Sequence, residues 1–329
     1  MIEPIRLGPS DALPIDLPGC HLVLERCIPH VLPDQGHAGF GTLAFAPDGR
    51  IWCDGDGRTR LYTTTHSASG QWVSQVRSLS TDDLQAGQPH TVLSPLGEEL
   101  WAVIHLVVRV AADQWLAFHS WGRGLAASLA PTPEGPFTRI PRFSMAPQEA
   151  WEWEGGAPDV ASLEANGCFE PISHDGQRFT FWLGYDSYHV DETTGRLAWA
   201  RLVFDGDAGT LTLQERHRDS PLPFQPDRWI AARCGGNLER GTDLGGFRPY
   251  FYYTRPTRNV CLMALALARP DDPLFLDPVW RSEVDKPLGP EEVIEKFECW
   301  RGDDRLHMLY EARHTGGLWR TGYRAYAIT

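Results

Sequence analysis

Lysine is nearly absent from this chain of 329 residues: Lys286 and Lys296 stand alone, and the other 28 of its 30 cationic residues are arginines. A lysine Schiff base therefore has two possible positions, and neither has a recognisable setting. Positive charge is short overall, with 30 Lys and Arg against 43 Asp and Glu and a net charge of −13. Nucleic acid and anionic membranes both demand clustered positive charge, so neither is an expected partner, although a local basic pocket stays compatible. The seven cysteines (Cys20, Cys27, Cys53, Cys168, Cys234, Cys261, Cys299) are scattered, odd in number and without a CxxC pair. That pattern reads as thiols in a reducing compartment rather than a disulfide framework. No stretch reaches the ~18 apolar residues of a membrane span. Residues 100–118 come nearest, and His105, Arg109, Asp113 and Gln114 interrupt them. The opening Met-Ile-Glu-Pro-Ile-Arg lacks the charged-then-apolar order of a secretory leader. The expectation is a soluble, cytoplasmic protein.

Long amphipathic helices are missing too, which excludes a parallel α/β sheet and a helical bundle. The chain instead carries 32 glycines and 26 prolines, about 18% of its residues against a usual ~12%. Turns should be frequent. A gapless internal similarity shows what lies between them: Phe169–Trp182 matches Phe297–Tyr310 as short strand, polar Asp-containing turn and aromatic-rich strand. Weaker copies of the aromatic strand fall at 60–65, 114–119 and 249–254, each after a polar turn. Further strands are expected at 71–78, 124–128, 197–204, 260–268 and 318–328. Five such units of about 66 residues suggest an all-β, five-bladed β-propeller. The whole of 1–329 is expected to be a single domain, with a Pro-rich extension, residues 1–36, packed on its outside. Residues 290–297 begin with Pro and two acids, as a helix does, yet Val293, Glu295 and Phe297 alternate as in a strand.

Several motifs fall away on inspection. Gly39-Phe-Gly41-Thr-Leu-Ala44 and Gly122-Arg-Gly124-Leu-Ala-Ala127 have loose dinucleotide-loop spacing, but the prolines that follow bar the helix such a loop must open. Walker, HExxH and GxSxG patterns are absent. The 12 histidines form no short-range ligand cluster, so no metal or cofactor is expected, with an axial calcium left open.

The carboxylates carry more. Glu170 lies between Phe169 and Pro171, and Glu298 between Phe297 and Cys299. An acid flanked by apolar groups on an inner strand faces the propeller channel, where burial raises its pKa toward that of a general acid. Glu164 and Asp159 add acid to the same unit. Two carboxyls across a sugar-sized channel suit glycoside hydrolysis, and some of the 13 tryptophans offer faces for sugar rings.

The chain resembles the five-bladed β-propeller glycosidases, the broad group of arabinofuranosidases, xylosidases and fructosidases. Residues 126–137 (Ala-Ala-Ser-Leu-Ala-Pro-Thr-Pro-Glu-Gly-Pro-Phe), 164–182 and 295–311 carry the resemblance. It implies Glu170, or Glu164, as proton donor. It also implies a first-blade aspartate, for which Asp34 in Pro33-Asp34-Gln35 and the turn-like Asp48 stand in. Ala157-Pro158-Asp159 has the letters of a second-blade phrase but falls later. The resulting expectation is a glycoside hydrolase of a small soluble oligosaccharide or glycoside. Glu170, Glu298 and Asp34 are its catalytic candidates. His37, His105, Asp159, Glu164, Arg233 and Glu239 are its substrate contacts. Two other classes fit the same scaffold: a lyase or cyclase of a small metabolite, and a non-catalytic carbohydrate-binding propeller. Oligomeric state is not set by the sequence.

Overall fold

The structure, a computed structural model of the chain, describes residues 15–17, 20–28, 30–32, 39–97, 99–153, 161–189, 195–217, 248–257, 260–268, 276–281, 291–302, 304–314 and 318–329. Apart from one 3-10 turn at Ala150–Trp153, its regular structure is all strand. Two N-terminal strands, β1 (Ile15–Leu17) and β2 (Cys20–Ile28), come first. The first meander follows as β3 (Gly39–Phe45), β4 (Arg58–His66), β5 (Trp72–Ser80) and β6 (His90–Leu93). The second is β7 (Ile104–Ala111), β8 (Gln114–Trp121), β9 (Gly124–Ala130) and β10 (Thr138–Met145). The third is β11 (Ala161–His174), β12 (Arg178–His189), β13 (Gly195–Asp205) and β14 (Thr210–His217). Then come β15 (Arg248–Thr257), β16 (Val260–Ala268) and β17 (Leu276–Arg281), and finally β18 (Glu291–Gly302), β19 (Arg305–His314) and β20 (Leu318–Ile328).

Neighbours within each meander pair antiparallel. The first two meanders are joined by a short parallel contact of β3 with β7, Ala44 opposite Val107 and Phe45 opposite Val108. The last sheet has the order β1-β2-β20-β19-β18, so a strand from the N-terminus completes the C-terminal meander. The result is an all-β fold of the propeller type. The strands β3, β7, β11 and β18 lie at its inner side, where β11 approaches both β7 and β18, and β18 approaches β3.

The polar turns make this sharp folding local. Asp54 accepts backbone hydrogen bonds from Asp56 and Arg58 at 3.0 Å each, and Gly57 takes φ 71°. Asp175 does the same for Gln177 and Arg178, and Gly176 takes φ 94°. An aspartate side chain that replaces a backbone acceptor, followed by a glycine free to adopt positive φ, is what a two-strand reversal needs. The internal repeat falls on two hairpins, β11–β12 and β18–β19. Residues 290–297 resolve as strand: from Glu291 onward they belong to β18.

Among the described residues the sheets pack through a large apolar cluster and a second one between the first two meanders. Phe45 of β3, Phe118 of β8, Phe169 of β11 and Phe181 of β12 meet edge-to-face at centroid distances of 6.1–6.2 Å across three meanders. Each such ring contributes about 1.5–3 kcal/mol by burial. Trp115 and Trp199 are buried as well, so these indoles serve packing.

Candidate active site

Four inner strands bring polar side chains together where apolar residues would otherwise fill the axis. On β18, Glu298 is 1% exposed. Its Oε1 lies 2.9 Å from Thr42 Oγ1 of β3, and Thr42 Oγ1 lies 3.1 Å from Leu43 O. The Thr42 hydroxyl hydrogen is shared between these two acceptors. Burial pushes the Glu298 carboxyl well above its ordinary 4.5, and the hydrogen bond donated by Thr42 opposes this only in part. The Cys299 thiol beside it is pushed up, first by burial and then by Glu298.

A second cluster joins β7 to β11. His105 Nδ1 lies 3.2 Å from Glu164 Oε1, and His105 Nε2 lies 2.7 Å from Ser120 Oγ at the end of β8. The His105–Ser120 contact is a hydrogen bond whose direction follows the ring tautomer, and the approach of Nδ1 to Glu164 is an electrostatic contact. Ser120 is itself held from behind. His119 Nδ1 donates to Ser120 O at 3.1 Å, which leaves His119 Nε2 to accept from Ser128 Oγ at 2.9 Å. Burial lowers the His119 pKa to about 4, so this imidazole is neutral at ordinary pH. Glu164, His105, Ser120, His119 and Ser128 thus form a continuous polar path through β11, β7, β8 and β9.

Depth separates the acids. Across the β11–β12 ladder, Glu164 faces Asp186 and Glu170 faces Trp182. Those partners are four residues apart, which puts about 13 Å of strand between the two glutamates. Glu164 lies near the start of β11, at the same end of its meander as His105 on β7 and Gly39 on β3. Glu170 lies deeper and is 3% exposed, against 8% for Glu164. At the shallow end Glu311 of β19 reaches β3, where a Cβ on Gly39 would collide with its carboxylate and come within 2.8 Å of Thr64 Oγ1. Glycine at position 39 gives this carboxylate its room.

Sequence reasoning singled out Glu164, Glu170, Glu298 and His105, and all four lie on inner strands. The structure joins His105 to Glu164. It puts Glu298 against Thr42 and Glu170 further along β11. Asp34, His37, Asp159, Arg233 and Glu239 lie outside the described residues. Ser120, Thr42, Asp186 and Glu311 were not anticipated. Small polar residues within apolar strands give no signal, and Asp186 and Glu311 sit on second strands rather than inner ones. Glu152, also unforeseen, is a structural hub. It accepts from Tyr185 Oη at 2.8 Å, from the backbone of Gln148 and Glu149, and from Arg216 Nη1 at 2.6 and 2.8 Å. That network ties the 3-10 turn to β12 and β14. Among the described residues no group of three or more His, Cys, Asp and Glu side chains is arranged to hold a metal ion, and no helix is long and apolar enough to cross a membrane.

No protein-family model matches the sequence, and no curated protein does. The fold does have solved counterparts. The catalytic domain of a GH62 α-L-arabinofuranosidase from Coprinopsis cinerea is 14% identical with a TM-score of 0.52, and the likeness covers 90% of this chain and 98% of that one. A GH62 hydrolase in complex with xylotriose is 11% identical with a TM-score of 0.55, covering 89% and 92%. A thermostable family-43 glycoside hydrolase is 14% identical with a TM-score of 0.51, covering 91% of each chain. At such identities the likeness is one of fold: this chain has the propeller fold of that glycosidase group, as its sequence resemblance implied.

Proposed function

We propose that the protein hydrolyses glycosidic bonds in a small soluble carbohydrate, and that Glu164 is the carboxyl that meets the substrate. One observation carries this reading. Of Glu164, Glu170 and Glu298, Glu164 has the greatest access, 8% exposure against 3% and 1%, and an imidazole nitrogen lies 3.2 Å from its carboxyl. A general acid must come within hydrogen-bond reach of the leaving oxygen, and a carboxyl sealed in the core cannot. In this mechanism Glu164 enters with its carboxyl protonated and gives that proton to the leaving oxygen, and His105, braced by Ser120, fixes its rotamer and stabilises the carboxylate that results. Two carboxyls stand as the second acid: Asp34, carried from the sequence resemblance, and Asp186, opposite Glu164 in the β11–β12 register. Neighbours of the same fold are glycoside hydrolases, one of them solved with xylotriose, which supports a carbohydrate as the substrate class.

The test is a hydrolysis screen of aryl-glycosides and short oligosaccharides with the wild type, Glu164→Gln and Glu170→Gln. Turnover that drops at least ~100-fold in Glu164→Gln and stays within about threefold in Glu170→Gln is the expected outcome. The reverse pattern returns the acid role to Glu170, and no turnover on any panel member sinks hydrolysis. A second reading has its own support, because a carboxylate–imidazole pair also suits proton transfer by a lyase or cyclase, which needs no second acid nearby.

A further inference from the structure

The described surface exposes five large apolar residues, and four of them share one corner: Leu96 at 59%, Leu100 at 63%, Trp101 at 39% and Trp121 at 37%. Leu96, Leu100 and Trp101 precede β7, and Trp121 ends β8. Ile104 at the start of β7 pairs with His119 near the end of β8, so all four lie at the end of the second meander that also carries His105 and Ser120. Trp121 directly follows Ser120. Trp101 comes four residues before His105, about 13 Å along an extended chain.

These indoles are held, although they are exposed. Trp101 Nε1 donates to Gly122 O at 3.3 Å, and the Trp101 backbone bridges Trp72. The Arg139 guanidinium lies 5.9 Å from the Trp121 ring centroid. Arg139 is in turn locked to Glu99 by two parallel bonds of 2.8 and 3.0 Å. Burial alone would raise the Glu99 pKa, but these bonds win and hold it below its ordinary value. Glu99 Oε2 also accepts from Leu96 N at 2.9 Å, and Trp72 N donates to Leu100 O at 2.9 Å, which pins the segment carrying the leucines. A pre-ordered aromatic surface loses little conformational freedom when it binds, and one edged by a charged planar pair matches a ligand with both an apolar face and a rim of hydroxyls. A sugar ring is such a ligand. An apolar protein surface is not matched as well, because the Arg139–Glu99 pair would be covered without new partners.

We propose that Trp101 and Trp121, with Arg139 and Glu99, form a platform for sugar units that extend outward from the Glu164–His105 pair, so that the substrate is an oligosaccharide of about three or more units rather than a simple glycoside. The proposal rests on the glycosidase reading for the position of the reacting bond, and its test separates the two. Affinity for xylotriose, arabinotriose and cellotriose, each against its monosaccharide, is measured by calorimetry or NMR on the full chain carrying Glu164→Gln. The same titrations are run with Trp101→Ala or Trp121→Ala added. One trisaccharide is expected to bind at least ~10-fold more tightly than its monosaccharide, and either tryptophan loss should remove about 3- to 10-fold of that advantage. Monosaccharide affinity and melting temperature should stay unchanged, and Trp121→Tyr, which keeps an aromatic face, should retain most of the gain. The platform is overturned if no trisaccharide outbinds its monosaccharide, if the advantage survives both substitutions, or if sedimentation shows that the patch instead holds two copies of the chain together. Hydrolysis assays on the otherwise wild-type chain distinguish the failures. Tryptophan-dependent trisaccharide binding without turnover keeps the platform and removes the glycosidase. Turnover of trisaccharides that ignores both tryptophans does the opposite.

Discussion

A glutamate taken out of water must find a cation or keep its proton. Glu152 takes the first course, with Arg216 on both its oxygens. Glu298 takes the second, because the partner it has is the Thr42 hydroxyl. The consequence is a pH dependence of definite sign. A native carboxyl with a raised pKa binds more protons than the unfolded one, so its contribution is complete below about pH 4.5 and is lost as pH rises through the window above. The slope reaches about 1.4 kcal/mol per pH unit for one proton. Glu298→Gln keeps the shape and the Thr42 contact but removes the titration. Urea unfolding at pH 5, 6, 7 and 8 should show the variant gaining on the wild type as pH rises above 4.5; parallel pH profiles would sink the assignment. Glu170 and Glu298 were legible in the sequence because bulky apolar neighbours flank them. Both are buried, at 3% and 1% exposure, so the feature that made them visible reports burial rather than access. Glu164 sits between Leu163 and Ala165, with no turn or proline beside it, and its partner His105 is 59 positions away. Only the fold brings them together.

Elements were legible where local chemistry repeats. The strands at 260–268 and 318–328 coincide with β16 and β20, an unbroken apolar run closed by Arg269-Pro270 and an aromatic-rich run opened by Gly316-Gly317. Outer strands were less distinct. β6 has four residues, and β14 buries Leu211 alone, with too little apolar alternation to be read in advance. Residues 290–297 were ambiguous because a proline followed by acids opens strands and helices alike. The seam between the first two meanders depends on a feature that no local pattern reveals. A Cβ on Gly41 would lie 2.7 Å from Ile104 O and 3.1 Å from Tyr62 O, both backbone atoms that cannot rotate away. Gly41→Ala should therefore push β3 from β7 and cost about 2–4 kcal/mol in chemical denaturation. Gly39→Ala should cost less, because the obstruction there is the flexible end of Glu311 and the hydroxyl of Thr64. Equal melting temperatures for Gly41→Ala and the wild type would show that the seam has slack.

At the scale of the molecule the question is what keeps a ring of sheets from opening. Each sheet alone has an edge, and an unpaired edge is a hazard that closure removes. Here β2 pairs with β20 from Leu22 opposite Ile328 to Ile28 opposite Tyr323, so the two ends of the chain share one sheet. Bringing residues about 300 positions apart together costs roughly 5 kcal/mol of loop entropy. Against that, Leu22, Leu24, Cys27 and Ile28 are all buried on β2, which returns about 6–10 kcal/mol. The surplus is small enough for one side chain to consume. Leu22, 0% exposed, changed to Ala should remove about 2–5 kcal/mol and lower the cooperativity of unfolding. Removing residues 1–30 should do more, leaving Tyr323, Ala325 and Tyr326 of β20 on an open edge, with soluble yield collapsing or the melting temperature falling by at least ~10 °C. Hydrogen exchange gives the finer test: β20 amides should be protected as long as those of β19 in the full chain and should exchange first in Leu22→Ala. If the truncated chain melted with the full-length one, the N-terminal strand would be decoration on a ring already closed by its other sheets.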